Sequence, residues 1–389
     1  MNFNLTIFHK KCFWITLIIA GLLVKIPFFP IQNGDYTDYF RHWIRFIQEN
    51  GDFESMKYPF HNYSPAYIYC LVLIVKSGIY PLFAIKILSI FFEYLLAFFI
   101  GKIVCLKYKN TLYILVCMAI FPVLPTVFLN SLFFGQSDAI YAAFAVGSVY
   151  FILAEKTWKS VLFLALSFMF KMQAMFLLPF FFVMMLKKQI KFYLFILIPI
   201  VYFLSILPAY LIGRPLSDLL NIYAMQASYY HKLTMNFPNL YVFINNDYYS
   251  IVKPVGLIIT VVLTLIVGWY FGRNKEKMCF EDKIRLVFAS AVIVPFILPG
   301  MHDRYLYLAD SLGIVYFIVF RKKIYIPLGT LFISTYAYIR FFVHYPYFYL
   351  SPAVFVYILV IIWIIKDFDI PLYRFSRHRK KLHIINGAT

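Results

Sequence analysis

"AYIYCLVLIVKSGIY", residues 66–80, is the stretch on which the topology of the whole chain turns. It is apolar enough to enter a bilayer, yet shorter than the roughly 20 residues a helix needs to cross one. Read as a span, it inverts every segment downstream. Read as a surface or re-entrant helix, it leaves them in place. The rest of the chain fixes the solvent. Hydrophobic residues make up 63% of the 389, aromatics 21% and charged residues only 14%, and mean hydropathy is +0.78. A soluble domain carries about 25% charge, so most of this chain faces lipid or other helices.

Further apolar runs lie near 12–29, 82–104, 111–129, 139–154, 160–170, 174–186, 193–211, 255–272, 284–299, 304–320, 324–340 and 352–366. An all-α, polytopic transmembrane protein of about twelve membrane segments is expected. The runs 160–170 and 174–186 are too short to cross alone; they flank "FKMQAM" (170–175) and read as half-helices meeting at a polar break. Lys10 and Lys11 precede the first run without a small-residue cleavage site, which reads as a retained signal-anchor. Five scattered cysteines suggest neither a disulfide framework nor a zinc site.

The net charge of +19 comes in short basic clusters between apolar runs, so it points to membrane loops and not to nucleic acid. With 66–80 kept off the spanning list, about two-thirds of the Lys and Arg fall on one side, which the positive-inside rule makes cytoplasmic. These include Lys102, Lys107, Lys109, Lys187, Lys188, Lys275, Arg321 and the tail with Arg374, Arg377, Arg379, Lys380 and Lys381. Both termini are then cytoplasmic, in a multi-pass protein of the cell membrane.

The same threading sends the residues capable of chemistry to the outer face. Asp35 and Asp38 follow the first run, where either carboxylate suits a general base or a helix N-cap. Residues 36–48, "YTDYFRHWIRFIQ", carry aromatics at helical spacing and read as an amphipathic helix along the outer interface. "FFGQSDAIYAAF" (133–144) places Gln136 and Asp138 at the same depth, with an N-cap as the alternative reading for Asp138. Lys171 sits in apolar surroundings and needs an anionic partner or a water-filled cavity. His302, Asp303 and Arg304 lie together in "MHDRYLYLAD" (301–310), where Arg304 offers fixed donors to phosphate. Glu93 and Asp310 fall within apolar runs and read as helix–helix polar contacts.

The ordered set "NGDYTDYFRHW" (33–43), "NYSPAYIY" (62–69), "FFGQSDAIYAAF" (133–144), "FKMQAMFLLP" (170–179), "NFPNLY" (236–241) and "MHDRYLYLAD" (301–310) resembles the GT-C superfamily of membrane glycosyltransferases. More narrowly, it is similar to bacterial relatives of the PIG-V-type GPI mannosyltransferase. The sequence departs from that pattern at Asp303, where a glutamate is expected, and at "HNYSP", where an acid often precedes Asn-Pro.

The resemblance implies a GT-C-like catalytic module over 1–211 with its outer loop at 30–65. An outer loop at 212–254 and C-terminal helices with a basic cytoplasmic tail over 255–389 complete the chain. It implies an inverting hexosyltransferase, mannosyltransferase-like, that moves a sugar from a polyprenyl-phosphate donor to a hydroxyl on a glycan, lipid or protein, for example in a cell-surface polysaccharide. Asp35 would be the base, with Asp38, Gln136 and Asp138 as second acid and pocket. Lys171, Gln173, His302 and Arg304 would bind the donor phosphate, and Tyr63, Asn236, Asn239, Asp303 and Tyr305 would complete the pocket. A divalent cation is left open. The rival classes are a flippase or transporter for lipid-linked saccharides, which would show internal repeats, and a polysaccharide polymerase, which would draw on arginines of a large outer loop.

Overall fold

A computed structural model describes residues 2–273, 276–343 and 349–368; Lys275 and the basic tail beyond 368 lie outside the described residues. The architecture is all-α. In lipid every backbone N–H and C=O must be satisfied within the segment, and apolar runs of this kind meet that demand as helices. In chain order they are α1 (Asn2–Lys25), α2 (Arg41–Glu49), α3 (Pro65–Lys76), α4 (Pro81–Tyr108), α5 (Leu112–Ile120), α6 (Pro125–Leu129), α7 (Asp138–Leu153) and α8 (Thr157–Phe170). There follow α9 (Leu178–Leu186), α10 (Leu197–Leu211), α11 (Leu216–Tyr229), α12 (Tyr249–Gly272), α13 (Phe280–Ile297), α14 (Tyr307–Val319), α15 (Tyr325–Phe342) and α16 (Ser351–Asp367).

Helices occupy all twelve apolar runs, but fewer are built to cross a membrane unaided. Four are long and apolar enough: His9–Phe28, Pro81–Tyr108, Phe192–Leu211 and Asn246–Gly272. The pair Leu112–Val123 and Pro125–Phe134, bent by 60°, makes a fifth if it is one broken span. The bend falls where Pro122 and Pro125 remove backbone donors from the helical ladder. At 12 residues α3 is about 18 Å long, well short of the hydrocarbon core.

The core is built around α7, which packs against α4 on one side and α8 on the other. Its Ala142, Ala143, Ala145 and Gly147 are fully buried or nearly so, the small-residue surface that lets membrane helices approach closely. Hydroxyls then tie α8 to α7: Ser160 Oγ donates to Ser148 O and Ser167 Oγ to Tyr141 O, both at 2.8 Å. On the other side of α4, Gly101 lies so close to α5 that a β-carbon would stand 2.5 Å from Ile114 Cα. Gly101→Val must push the two helices apart, a cost of about 1–3 kcal/mol. The expected result is a lower midpoint of thermal unfolding in detergent.

Two buried cations anchor α1. Lys25 pairs with Glu93 of α4, both side chains fully buried, so Glu93 is the helix–helix contact expected from the sequence. Lys86 donates to the carbonyls of Phe28 (2.9 Å), Phe29 (2.9 Å) and Ile31 (2.6 Å), which fixes where the chain leaves α1.

The basic connections gather at one end of the bundle. Lys107 pairs with Glu281 at 2.8 Å, Tyr108 OH donates to Ile318 O, and Arg321 reaches Tyr113. Along α4 this cluster is about 40 Å from Pro81. Near the Pro81 end are the connections after α1, before α7, between α8 and α9, and between α13 and α14. The last of these is ordered by a short parallel pairing of β1 (Thr234–Met235) with β2 (Met301–His302), which the sequence did not suggest.

α2 is amphipathic as read from the sequence, but its apolar face meets protein. Trp43, Ile44 and Ile47 are buried in a cluster with Tyr67, Ile68 and Leu71 of α3, while Arg41, His42, Arg45 and Gln48 face outward. The helix also starts late, because residues Tyr36–Phe40 form a wider π-helical turn.

Candidate active site

The four connections near that end enclose a cavity of about 310 Å³. Asp35 enters it from the connection between α1 and α2. Asn33, not Asp35, caps the following turn: its Oδ1 accepts from Tyr36 N at 3.2 Å. The Asp35 carboxylate instead accepts from Gln136 Nε2. Gln136 is held by a second π-helical turn, Asn130–Phe134, which Gly135 closes in the left-handed region at φ +62°. A residue with a β-carbon is disfavoured there. Ser89 Oγ donates to Gln136 O at 2.8 Å, and Tyr63 OH donates to Gln136 Oε1 at 2.8 Å, so this amide is fixed from both ends.

Lys171 occupies the polar break between α8 and α9. Its backbone is extended (φ −149°, ψ 142°) before a 3₁₀ turn over Met172–Leu177, so the broken pair expected from the sequence is present. Its Nζ lies 2.6 Å from Asp138 Oδ1, and Asn130 Nδ2 donates to Asp138 Oδ2 at 2.8 Å. Arg304 completes the cluster: 3.5 Å from Asp35, 3.6 Å from Asp138 and 3.6 Å from Asp303. Three carboxylates and two cations from separate parts of the chain thus pair with one another at the floor. Bringing so many charges out of water requires mutual pairing, because a single buried charge is costly.

The 299–305 connection is pinned from outside the cluster. Gly300 N donates to Leu233 O at 2.7 Å and Asp303 N to Met235 O at 3.0 Å, alongside the β1–β2 pairing. Burial, opposed by Arg304, pushes the Asp303 carboxyl up to about 7. Burial first, then Arg304 and Lys171, holds the His302 imidazole far below its usual range, so it is neutral. His61 is likewise neutral, held down to about 3 by burial and then by Arg214. Its Nδ1–H therefore donates to Tyr63 O at 2.8 Å, and its Nε2 accepts from Arg214 at 2.7 Å. Arg214 and His61 thus brace Tyr63 from behind.

The rest of the wall is aromatic and amide: Tyr39, Trp43, Tyr229, Tyr230, Asn62 and Gln226. Tyr39 OH and Tyr230 OH meet at 2.6 Å across the cavity. Among the described residues no group of three or more His, Cys, Asp or Glu is gathered as a bound metal ion would need. The carboxylates converge on the Arg304 guanidinium instead.

No protein-family model, curated protein or solved structure matches the chain. Any assignment of function to this chain therefore rests on the geometry of the cavity.

Of the residues singled out from the sequence, Asp35, Tyr63, Gln136, Lys171, Gln173, Asn236, His302, Asp303, Arg304 and Tyr305 all line the cavity. Three do not. Asp38 is exposed and accepts from Thr37 Oγ1 at 3.0 Å, because the π-helical turn rotates it away from Asp35. Asn239 is fully buried as a cap: its Oδ1 accepts from Tyr241 N and its Nδ2 donates to Leu298 O at 3.1 Å. Asp138 lies behind the floor and is reached only through Lys171, Asn130 and Arg304; it is not an N-cap, for it makes no cap hydrogen bond. Asp310, buried in α14, does not line the cavity. Sequence reading missed Trp43, Asn62, Gln226, Tyr229, Tyr230 and Lys232 as cavity residues; for all but Lys232 the signal was a surrounding segment rich in aromatics and amides.

The Asp303 carboxyl binds its proton more tightly in the folded state than the ordinary value near 3.9. Its contribution to stability therefore falls as pH rises from about 4 through about 7. Asp303→Asn is expected to flatten this slope. Unfolding midpoints in detergent across that range, compared between the two proteins, check it.

Proposed function

We propose that the chain is an integral-membrane glycosyltransferase of GT-C type that takes a sugar from a polyprenyl-phosphate donor by an inverting reaction. The observation that carries this reading is the placement of Asp35. A carboxylate held by an amide and an arginine lines a partly open cavity, at the same end of the bundle as the polar break of α8–α9. The aromatic and amide walls suit pyranose rings, whose apolar faces stack on Tyr and Trp while their hydroxyls need amide partners.

In this reaction the acceptor oxygen attacks the anomeric carbon from the Asp35 side and passes its proton to the carboxylate. The bond from that carbon to the phosphate oxygen breaks, and the electron pair leaves with the lipid phosphate. A phosphate needs no general acid to depart, so donors that stabilise its charge are enough, each worth about 10²–10³-fold. Mannose as the sugar, about twelve membrane segments, cytoplasmic termini and an outward-facing cavity belong to the same proposal. The basic cluster opposite the cavity supports that orientation.

The test is incubation of the purified protein with a panel of polyprenyl-phosphate sugars and a mixed saccharide acceptor pool. Release of lipid phosphate with one sugar and not the others is expected. No release with any member, by protein that is monodisperse and folded, counts against the proposal.

A further inference from the structure

We infer that the lipid phosphate seats its head on Lys232, not on Lys171 or Arg304, and lays its chain in an apolar groove between α9 and α12; this rests on the glycosyltransferase reading. The charges of Lys171 and Arg304 are already matched by Asp138, Asp35 and Asp303. A phosphate placed on either competes with the carboxylates already there. Lys232 lines the same cavity and has no carboxylate within ion-pair distance among the described residues. Gln173 and Asn236 also line it, with no side-chain hydrogen bond to protein among the described residues. Lys232, Asn236 and His302 lie together because β1 pairs with β2, Met235 standing opposite His302. The cavity therefore carries a cation with neutral donors as well as Asp35 and Gln136.

A groove of about 400 Å³ runs between α9 and α12, floored by Val294 and Leu298. Its only polar side chains are Thr260 and Thr264, and both hydroxyls are turned to carbonyls of their own helix at 2.8 Å. Two short segments join groove to cavity. Gln173 lines the cavity and Met175, two residues on and at most about 7 Å away, lines the groove. Leu298 lines the groove and His302 the cavity. An exposed ammonium without an ion pair, in a polar cavity that short chain segments link to an apolar groove, fits an amphiphile with one anionic head and one hydrocarbon chain. A polyprenyl monophosphate has that form; a two-chain phospholipid does not.

The test is equilibrium binding of a fluorescent polyprenyl monophosphate, without sugar, to the full-length protein in detergent. Lys232→Gln is expected to weaken binding about tenfold or more, and Lys232→Arg to restore most of it. Val261→Trp, which fills the groove, is expected to weaken the long-chain probe and leave geranyl phosphate unaffected. Unfolding midpoints within the wild-type range show that each variant is folded. Equal affinity in wild type and Lys232→Gln, or equally effective competition by phosphatidic acid, overturns the inference. Lys232-dependent binding without any sugar transfer would defeat the proposed function and leave this subsite standing. Sugar transfer with an unchanged donor KM in Lys232→Gln would do the reverse.

Discussion

Asp35→Asn is expected to lower the rate of sugar transfer by about 10²–10⁴-fold, the usual contribution of a positioned general base. The amide keeps the shape of the carboxylate and can still meet Gln136, but it cannot take the acceptor proton. Donor affinity should change little, because the donor phosphate is assigned to Lys232 and not to Asp35. The loss should therefore sit in kcat, with donor KM close to wild type. Asp38→Asn is the matched control: Asp38 is exposed and outside the cavity, so transfer should stay within about twofold of wild type, as is usual for surface substitutions. Steady-state transfer by both variants in reconstituted membranes checks the pair. A large loss in Asp38→Asn with none in Asp35→Asn would reverse the assignment.

The second large effect concerns stability. Asp138 is 1% exposed and compensates Lys171 at 2.6 Å and Arg304 at 3.6 Å. Asp138→Asn leaves two buried cations facing each other with less opposing charge. Breaking a buried pair in this way costs about 3–5 kcal/mol. Lys171→Met alone leaves Asp138 with Arg304 and Asn130, so it should cost less. The double variant Asp138→Asn/Lys171→Met should be more stable than Asp138→Asn, since it removes the stranded ammonium as well. Chemical unfolding of the four proteins of this cycle in detergent measures the coupling directly. Additive effects would show that the ion pair is incidental to the fold.

The helical architecture was legible in the sequence because lipid leaves a chain few choices. Runs of Leu, Ile, Phe and Val between basic clusters could only be helices, and all twelve runs are. The broken pair was legible too, since Lys171 and Gln173 in apolar surroundings have nowhere to go but a polar break. Membrane crossing was less so. Length and hydropathy qualify four or five helices, because helices such as α8 and α9 are short and bury much of their surface against protein.

Lys171 was legible because a charge in an apolar chain has to find a partner, and it finds Asp138; Asp138 and Arg304, read as a pocket acid and a donor to phosphate, were not legible as its companions in an ion-pair cluster. The site was not legible where backbone geometry decides direction. Asp35 and Asp38 are three positions apart, which on an α-helix would put them on one face, but a π-helical turn parts them. Asn239 looked like a cleft residue because Pro-Asn marks a turn, and the structure uses it to cap one. Lys232 gave no signal, since a lysine in a polar loop is ordinary until a two-residue pairing between segments far apart in sequence brings it to the cavity.

The most direct measurement is an experimental structure of the protein with a polyprenyl-phosphate sugar bound. The expected result places the anomeric carbon in the cavity with the Asp35 carboxylate within about 3–4 Å of the approach to its free face, the phosphate beside Lys232 and the chain between α9 and α12. A donor bound at the basic end of the bundle, or one whose phosphate lies against Asp35, would contradict it.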